Sequence, residues 1–382
     1  MNRMTGSGGR NPIGEEHFKV TAAWIASMQE PDGMIPWAAG GKMDPWDHIH
    51  AAMGLALAGY TEQARHALRF SAQTQESDGA WPAELRGREV VDPTRQTNHA
   101  AYIAAGVWYL HLAAPDREFL EEMWPCVERA IDFVAKHQLP CGGFSWAVTA
   151  EGKFWDAPLL TGSSSIHGSL VCAMRIAKAL GYDKSDWQSA LERLAFVLRH
   201  NVERFEDTDL PEEVGRFSMD WYYPVLGGAL RGSEGRDRLL EVDTTEGFVE
   251  EGVGIRCVVD RPWYTVAETC ELVLALDAVG LTSRARQMLS WVHPLRTADG
   301  GYWTGVTHPE RELYPDGEET PWTAATVLMA ADAIEGVSAT AGFFRSLAGE
   351  EFEVAEKREV AVAASASSSK HQDKELAATA AD

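Results

Sequence analysis

Cysteine is scarce and unpaired in this chain. Its five residues in 382 (Cys126, Cys141, Cys172, Cys257, Cys270) are scattered, with no C-x-x-C pair. That argues against a disulfide framework or a zinc site and fits reduced thiols in the cytoplasm. Positive charge is also short: a formal charge of −23 makes nucleic acid and anionic membranes unsuitable partners. No unbroken apolar run is long enough to span a bilayer, and the opening "MNRMTGSGGRNPIG" is too polar for a secretory leader. H-E-x-x-H, P-loop and G-x-G-x-x-G fingerprints are missing, so no metal and no cofactor is expected. His48 and His50 stand two apart, which on a helix points them in different directions. "LLTGSSSIHGSL" holds three serines and His167 but lacks a G-x-S-x-G elbow, and a serine-rich helix start explains it.

What is present is apolar residues at 45%, enough for a sizeable core, mostly with helical period. The pattern predicts helices over Glu16–Gln29, Trp46–Gly59, Thr61–Gln75, Asn98–Ala113, Asp116–Gln138, Ser163–Gly181, Trp187–Phe205, Trp221–Leu230, Tyr264–Gly280, Thr282–His293 and Trp322–Glu335. "GFVEEGVGIRCVVD" suits a short hairpin. Helices ending near a Gln run into glycine-aromatic turns, as in "MQEPDGMIPW", "TQESDGAWPAEL", "KHQLPCGGFSW" and "RTADGGYW". A loop and a second helix follow, and three of those open alike: "DPWDHIHAAM", "RPWYTVAETC" and "TPWTAATVLM", with "MDWYYPVL" a looser fourth. The unit recurs about six times, roughly every 40 to 65 residues, the signature of stacked helical hairpins. Ala- and Gly-rich helices suit a crowded centre, and charged amphipathic ones an outer ring. The expected fold is all-α, an (α/α)6 barrel over residues 14–345 with long loops on one face. Residues 1–13 are expected to be flexible. The Ala, Ser and charge-rich tail from 346 to 382 is expected to be disordered.

The loops leading into the inner helices would gather at one mouth, and many of the fourteen tryptophans lie there. Some would be core plugs. Others, interspersed with Asp, Glu, Asn and His, suit sugar rings, whose C–H faces stack on indole. Candidate substrate-binding residues are Trp46, His50, Trp81, Asn98, Trp221, Tyr222, Tyr223, Arg256, Trp263, Trp303 and Trp322. In "KMDPWDHIHAAM", Asp44 is a good N-cap, Pro45 suits the first helical position, and Asp47 can favour the positive helix end. The sister repeats put Tyr264 and Thr323 where Asp47 stands, so the scaffold does not require an acid there. Glycoside hydrolysis needs two carboxyl groups, one protonated and one ionised. Asp47 is the first candidate, with His50 one turn on to tune it. Glu250 and Glu251, in a long insertion, are the second. Glu268 is placed opposite Ala51 and Val327 of the sister repeats, and is either functional or paired with Arg256 or Arg261. Asp220 reads equally as an N-cap or a catalytic group.

The glycine-aromatic turns resemble those of squalene cyclases and prenyltransferase β-subunits, which share a helical toroid. Their chemistry is absent: "EDTDL" at 206–210 lacks the cyclases' terminal aspartate pair, and no Cys has zinc-site neighbours. Through "DPWDHIHAAM", "LLTGSSSIHGSL", "SMDWYYPVLGGALRG" and "DRPWYTVAETCELVLAL", residues 14–345 resemble an actinobacterial branch of these toroids, often labelled prenyltransferases. That branch is similar in architecture to six-hairpin glycosidases. Within it the chain is similar to mycobacterial hydrolases of intracellular methylmannose polysaccharide, which is α-1,4-linked and partly O-methylated. The resemblance implies a cytoplasmic endo-glycosidase with an oligo- or polysaccharide partner, and homo-oligomers are left open. Inversion is expected because loops facing across a barrel mouth favour a carboxyl separation of roughly 6.5–9.5 Å, which leaves room for water. A terpene-processing enzyme and a non-catalytic glycan-binding toroid are the alternatives.

Overall fold

The computed structural model describes residues 13–205, 215–245 and 247–348. The expectations for residues 1–12, for "EDTDL" and for the tail from 349 lie outside the described residues. Among these, twelve α-helices alternate between two layers. The outer ones are α1 (Glu15–Ser27), α3 (Thr61–Thr74), α5 (Arg117–Lys136), α7 (Ser185–His200), α9 (Gly232–Thr245) and α11 (Thr282–Val292). The inner ones are α2 (Pro45–Leu57), α4 (Thr97–Ala113), α6 (Leu160–Leu180), α8 (Ser218–Leu226), α10 (Val266–Ala278) and α12 (Pro321–Glu335). Each inner helix packs on the next, and α12 returns to α2, so six hairpins close an (α/α)6 ring. The inner helices are buried almost all round; α5 buries one face and keeps Glu118, Glu121 and Glu122 outside. Gly54 lets α2 approach α12, since a Cβ there would stand 2.5 Å from that of Ala325.

The repeated turn has a specific cause. Gln29, Gln75 and Gln138 end outer helices, and each donates its side-chain amide twice. One bond goes to the carbonyl four residues on (Gly33, Gly79, Gly142; 2.9–3.1 Å). The other goes to the next outer helix (Gln63, Cys126, Ala190; 2.8–2.9 Å). The glycines have φ near +100°, a left-handed conformation that favours Gly.

Connections between hairpins, which lead into inner helices, are long; those within hairpins, such as residues 58–60, are short. The long ones hold the strands: β1 (Glu84–Arg86), β2 (Glu89–Asp92), β3 (Arg95–Gln96), β4 (Ala147–Val148), β5 (Val249–Glu250), β6 (Gly254–Arg256), β7 (Trp263–Thr265), β8 (Trp303–Thr307) and β9 (Leu313–Glu319). The expected hairpin is β5–β6, and it opens an antiparallel sheet in the order β5-β6-β7-β8-β9. Three sequence expectations are corrected. Helix α9 was not anticipated. The stretch Val202–Phe205 is a separate 3-10 turn rather than the end of α7. And "RPWYT" does not open a helix: Trp263 to Thr265 pair with β8 as β7, and α10 starts four residues past Pro262.

Candidate active site

All six inner helices begin at the mouth, so residues at one count from the helix start form a layer around the axis. The third residues are Asp47, His99, Gly162, Asp220, Glu268 and Thr323. The sixth are His50, Tyr102, Ser165, Tyr223, Glu271 and Thr326. Neighbours in this second layer touch. Thr326 and His50 are 3.0 Å apart, His50 and Tyr102 2.8 Å, Tyr223 and Glu271 2.7 Å. The first layer is acidic because helix N-termini carry positive partial charge and unpaired amides that favour carboxylates. The count also corrects the repeat alignment: Glu268 is the counterpart of Asp47, and Glu271 that of His50.

Asp47 is buried at 8% exposure, with its backbone N–H donated to the Asp44 carboxylate at 2.9 Å. Burial pushes its acidity down, so its pKa stands well above the usual carboxyl range. The Asp44 charge, a carboxyl–carboxyl hydrogen bond to Asp44 and the Glu271 charge add to this, and only Lys42 opposes it. Glu271 was missed from sequence. It accepts from Tyr222 at 2.6 Å and Tyr223 at 2.7 Å, one phenol on each oxygen, yet burial lifts its pKa to about 8.

His50 does not act on Asp47 as a charge. Burial lowers its pKa to about 3, so it is neutral at any working pH. The Thr326 hydroxyl donates to the Trp322 carbonyl at 2.8 Å, so it accepts from His50 Nε2 and leaves Nδ1 to accept from Tyr102. Tyr102 is thereby fixed, and Trp46 stacks on it with ring centroids 3.6 Å apart. Beneath them lies a cavity of about 30 Å³, room for about one or two waters. Phe343, Phe344 and Leu347 close it from the far end.

The adjacent glutamates part company. Glu251 pairs with Arg284 at 2.7 Å and accepts from Gln287 at 3.2 Å, both on α11. Glu250, in β5, is 41% exposed at its side chain and lies 3.9 Å from His308 Nε2. The strand ends at Glu250 and Glu251 already lies in the following turn, so the two carboxyl groups meet different elements. Glu268 is buried with no partner at Oε2, and burial raises its pKa. Neither Arg256 nor Arg261 pairs with it: Arg256 donates to Tyr264 at 2.6 Å and Val259 at 3.1 Å, and Arg261 lies over Trp263. Asp220 is not an N-cap, which is Phe217. It accepts from Thr161 at 2.7 Å and Gly215 at 3.1 Å, and burial raises its pKa.

Several aromatics line the mouth. Trp263 stacks on Tyr314 at 4.7 Å, Trp37 meets Trp322 at 5.7 Å, and half-buried Trp303 faces Glu319 across β8–β9. Trp322 Nε1 and Asn98 Oδ1, both at second positions of inner helices, are buried without partners. His99, also missed, has a partnerless Nδ1 and a pKa lowered by burial. Trp81 and Trp221 are wall residues: buried, with indole N–H groups on the carbonyls of Ser71 and Arg238 at 2.9 and 3.0 Å. Tyr222 is fully buried against Glu271. Among the described residues no His, Cys, Asp or Glu cluster has metal-site geometry.

Residues 41–209 match the family described as the mannosylglycerate hydrolase MGH1-like glycoside hydrolase domain. A curated relative from Mycolicibacterium hassiacum, an MMP endo-(1,4)-3-O-methyl-alpha-D-mannosidase, is 45% identical over 332 residues, 87% of this chain and 90% of the relative. The chain belongs to this glycoside hydrolase family. Among solved structures, the GH63 mannosylglycerate hydrolase of Thermus thermophilus aligns with TM-score 0.65 at 14% identity, covering 81% of this chain and 99% of that one. A D-mannose isomerase aligns equally well at 12% identity, over 87% and all of its own chain. At such identities these two speak for the toroid alone, which several chemistries share. For a glycoside hydrolase, the acidic first layer ringed by aromatics is the expected site. Terpene processing and glycan binding without catalysis fall away as readings.

Proposed function

We propose that this glycoside hydrolase cuts within an α-1,4-linked, partly O-methylated mannan, with inversion, in the cytoplasm. Asp47 is the general acid and Glu250 the general base. The observation that carries the reading is Asp47 itself, a buried carboxyl group in the first layer at the mouth. Burial and the Asp44 charge raise its pKa well above the usual range, which favours the protonated form a general acid needs. Glu250 stands at the wetter rim, where an attacking water has access. Glu250 takes a proton from that water as its oxygen bonds to the anomeric carbon. The glycosidic C–O bond breaks, and Asp47 protonates the departing oxygen. Solvent then returns each group to its starting state. Groups on opposite walls of a mouth suit the separation of roughly 6.5–9.5 Å that leaves room for the water. The substrate follows the relative's activity, and the Trp46, Trp263 and Trp303 rings suit sugar faces made more apolar by methylation. The cytoplasmic placement is supported by five unpaired cysteines and by the lack, among the described residues, of a helix long and apolar enough to cross a membrane.

The test is proton NMR of the purified protein with α-mannan oligosaccharides, methylated and plain, beside α-glucans, trehalose and a β-linked control. New internal reducing ends in the methylated α-mannan, appearing first as the β-anomer, are expected. A first-formed α-anomer overturns inversion, and cleavage confined to chain ends overturns the endo mode.

A further inference from the structure

Of the six inner helices, only α2 and α12 have a side-chain cap among the described residues, and the two caps are built alike. In α12, Thr320 accepts from the Thr323 backbone N–H at 3.1 Å, and its hydroxyl donates to that of Thr323 at 2.7 Å. In α2, Asp44 takes the place of Thr320 and Asp47 that of Thr323. Asp44 accepts from the Asp47 backbone N–H at 2.9 Å, and the two side chains are again hydrogen-bonded, now as carboxyl groups. Two carboxyl groups in that contact hold a proton between them, since two carboxylates have nothing to donate. Capping alone does not call for the second acid. Asp116, which caps α5, meets Phe119 at that position and pairs with Arg65 at 2.8 Å.

The other groups around the pair leave that proton in place. Lys42, from the same loop, is bonded to Glu84 of β1 at 3.1 Å. Helix α4 brings His99 and Tyr102, α10 brings Glu271, and α12 brings the Thr323 hydroxyl. On α2 itself, His50 is held between Tyr102 and Thr326, and His48 is turned to α3, bonded to the Ala67 carbonyl at 2.9 Å. Helix α1 approaches α2 with Ile25, beside Gly54. Asp44 is the better exposed of the two acids and has the amide to accept from, so it carries the charge and the buried Asp47 the proton. We propose that Asp44 is a positioning residue for the reaction: it shares one proton with Asp47, and its charge keeps that proton on Asp47 until a glycosidic oxygen replaces Asp44 as the acceptor. The Asp47 O–H bond then breaks as the O–H bond of the leaving group forms, and solvent returns the proton. The inference rests on the assignment of Asp47 as the acid.

The experiment compares the full-length wild type with Asp44→Asn and Asp44→Thr. Asn caps a helix as well as Asp does, and Thr is the cap found at α12, so both variants keep the helix start and lose the charge. An infrared titration follows the carboxylic stretch that disappears in Asp47→Asn. In both variants its ionisation should fall by about one pH unit or more, the scale of a like-charge effect. The alkaline limb of kcat/KM should fall with it. A role confined to capping would lower the melting temperature and leave both midpoints where the wild type has them, and that result overturns the proposal. An infrared midpoint that falls beside an unmoved rate profile supports the pair and overturns Asp47 as the acid, which separates the two claims.

Discussion

Two adjacent residues with one chemistry and opposite surroundings give the sharpest check on the site. Glu250 and Glu251 are alike in sequence, but Glu251 is spent on Arg284 and Gln287 at the outer ring while Glu250 is half-exposed beside His308, after β8. Exposed ion pairs contribute about 0–1 kcal/mol, so Glu251→Gln should keep activity within about twofold and stability within about 0.5 kcal/mol. Glu250→Gln should lower kcat by about 10²- to 10⁴-fold at unchanged melting temperature, the usual worth of general acid–base catalysis. Asp47→Asn should lose as much. Initial rates on the mannan oligosaccharide, beside thermal melts, check all three. Equal losses at 250 and 251 would mean that the loop is rearranged in the working enzyme.

At the scale of the element, the Gln-to-Gly turns were legible as a repeat because both ends are dictated by backbone chemistry. The glutamine pairs the turn-glycine carbonyl, which no helix satisfies, and ties it to a carbonyl inside the next outer helix. The glycine takes a conformation that side chains rarely adopt. Gln75→Ala should cost about 1–3 kcal/mol through the buried Gly79 carbonyl it leaves unpaired and the lost tie to α5, and a few degrees in Tm. Gly79→Ala should cost more, since a Cβ there runs into the Arg129 carbonyl. Calorimetry of the two variants, with activity as a control on the distant mouth, decides it. The ring of inner helices was legible for the same reason, from Ala and Gly at close approaches. The site was only half legible. "DPW" and "TPW" do open α2 and α12, but "RPW" is a lookalike that continues as β7, because Trp263 and Tyr264 are β-formers with a partner strand available. Aligning on it slid α10 by four residues and left Glu271 opposite nothing of note. A helix start is set by caps and loop length, which tripeptide similarity does not carry. Glu251 could not be told from Glu250 because where the strand ends, and which of the two then meets Arg284 and Gln287 of α11, is set by tertiary partners far along the chain.

For the whole molecule, the buried titrating groups pull stability in opposite directions, and their windows can be signed. Burial holds His48 and His293 at about 4 and His50 and His167 at about 3, below the ordinary imidazole value of 6.5. The unfolded chain therefore binds more protons below pH 6.5, and stability from these groups is lost as pH falls through that point. Glu271 runs the other way, at about 8 against 4.5 unfolded, with Asp47, Glu268 and Asp220 also raised. Here the folded chain holds the extra protons, so stability falls as pH rises from about 4.5 toward 8. The two slopes offset each other between about 4.5 and 6.5. Above 6.5 only the carboxyl groups act, and below 4.5 only the histidines. Thermal stability should therefore peak near pH 5 to 6 and decline toward pH 8, by an amount on the order of several kcal/mol if Glu271 contributes its full shift. Glu271→Gln has no carboxyl to ionise there, so its melting temperature should change less between pH 6 and 8.5. Differential scanning calorimetry of both proteins across that range measures the difference. A wild type that gains stability toward pH 8 would mean that these carboxyl groups are already ionised in the fold. The acid would then have to be sought outside the first layer.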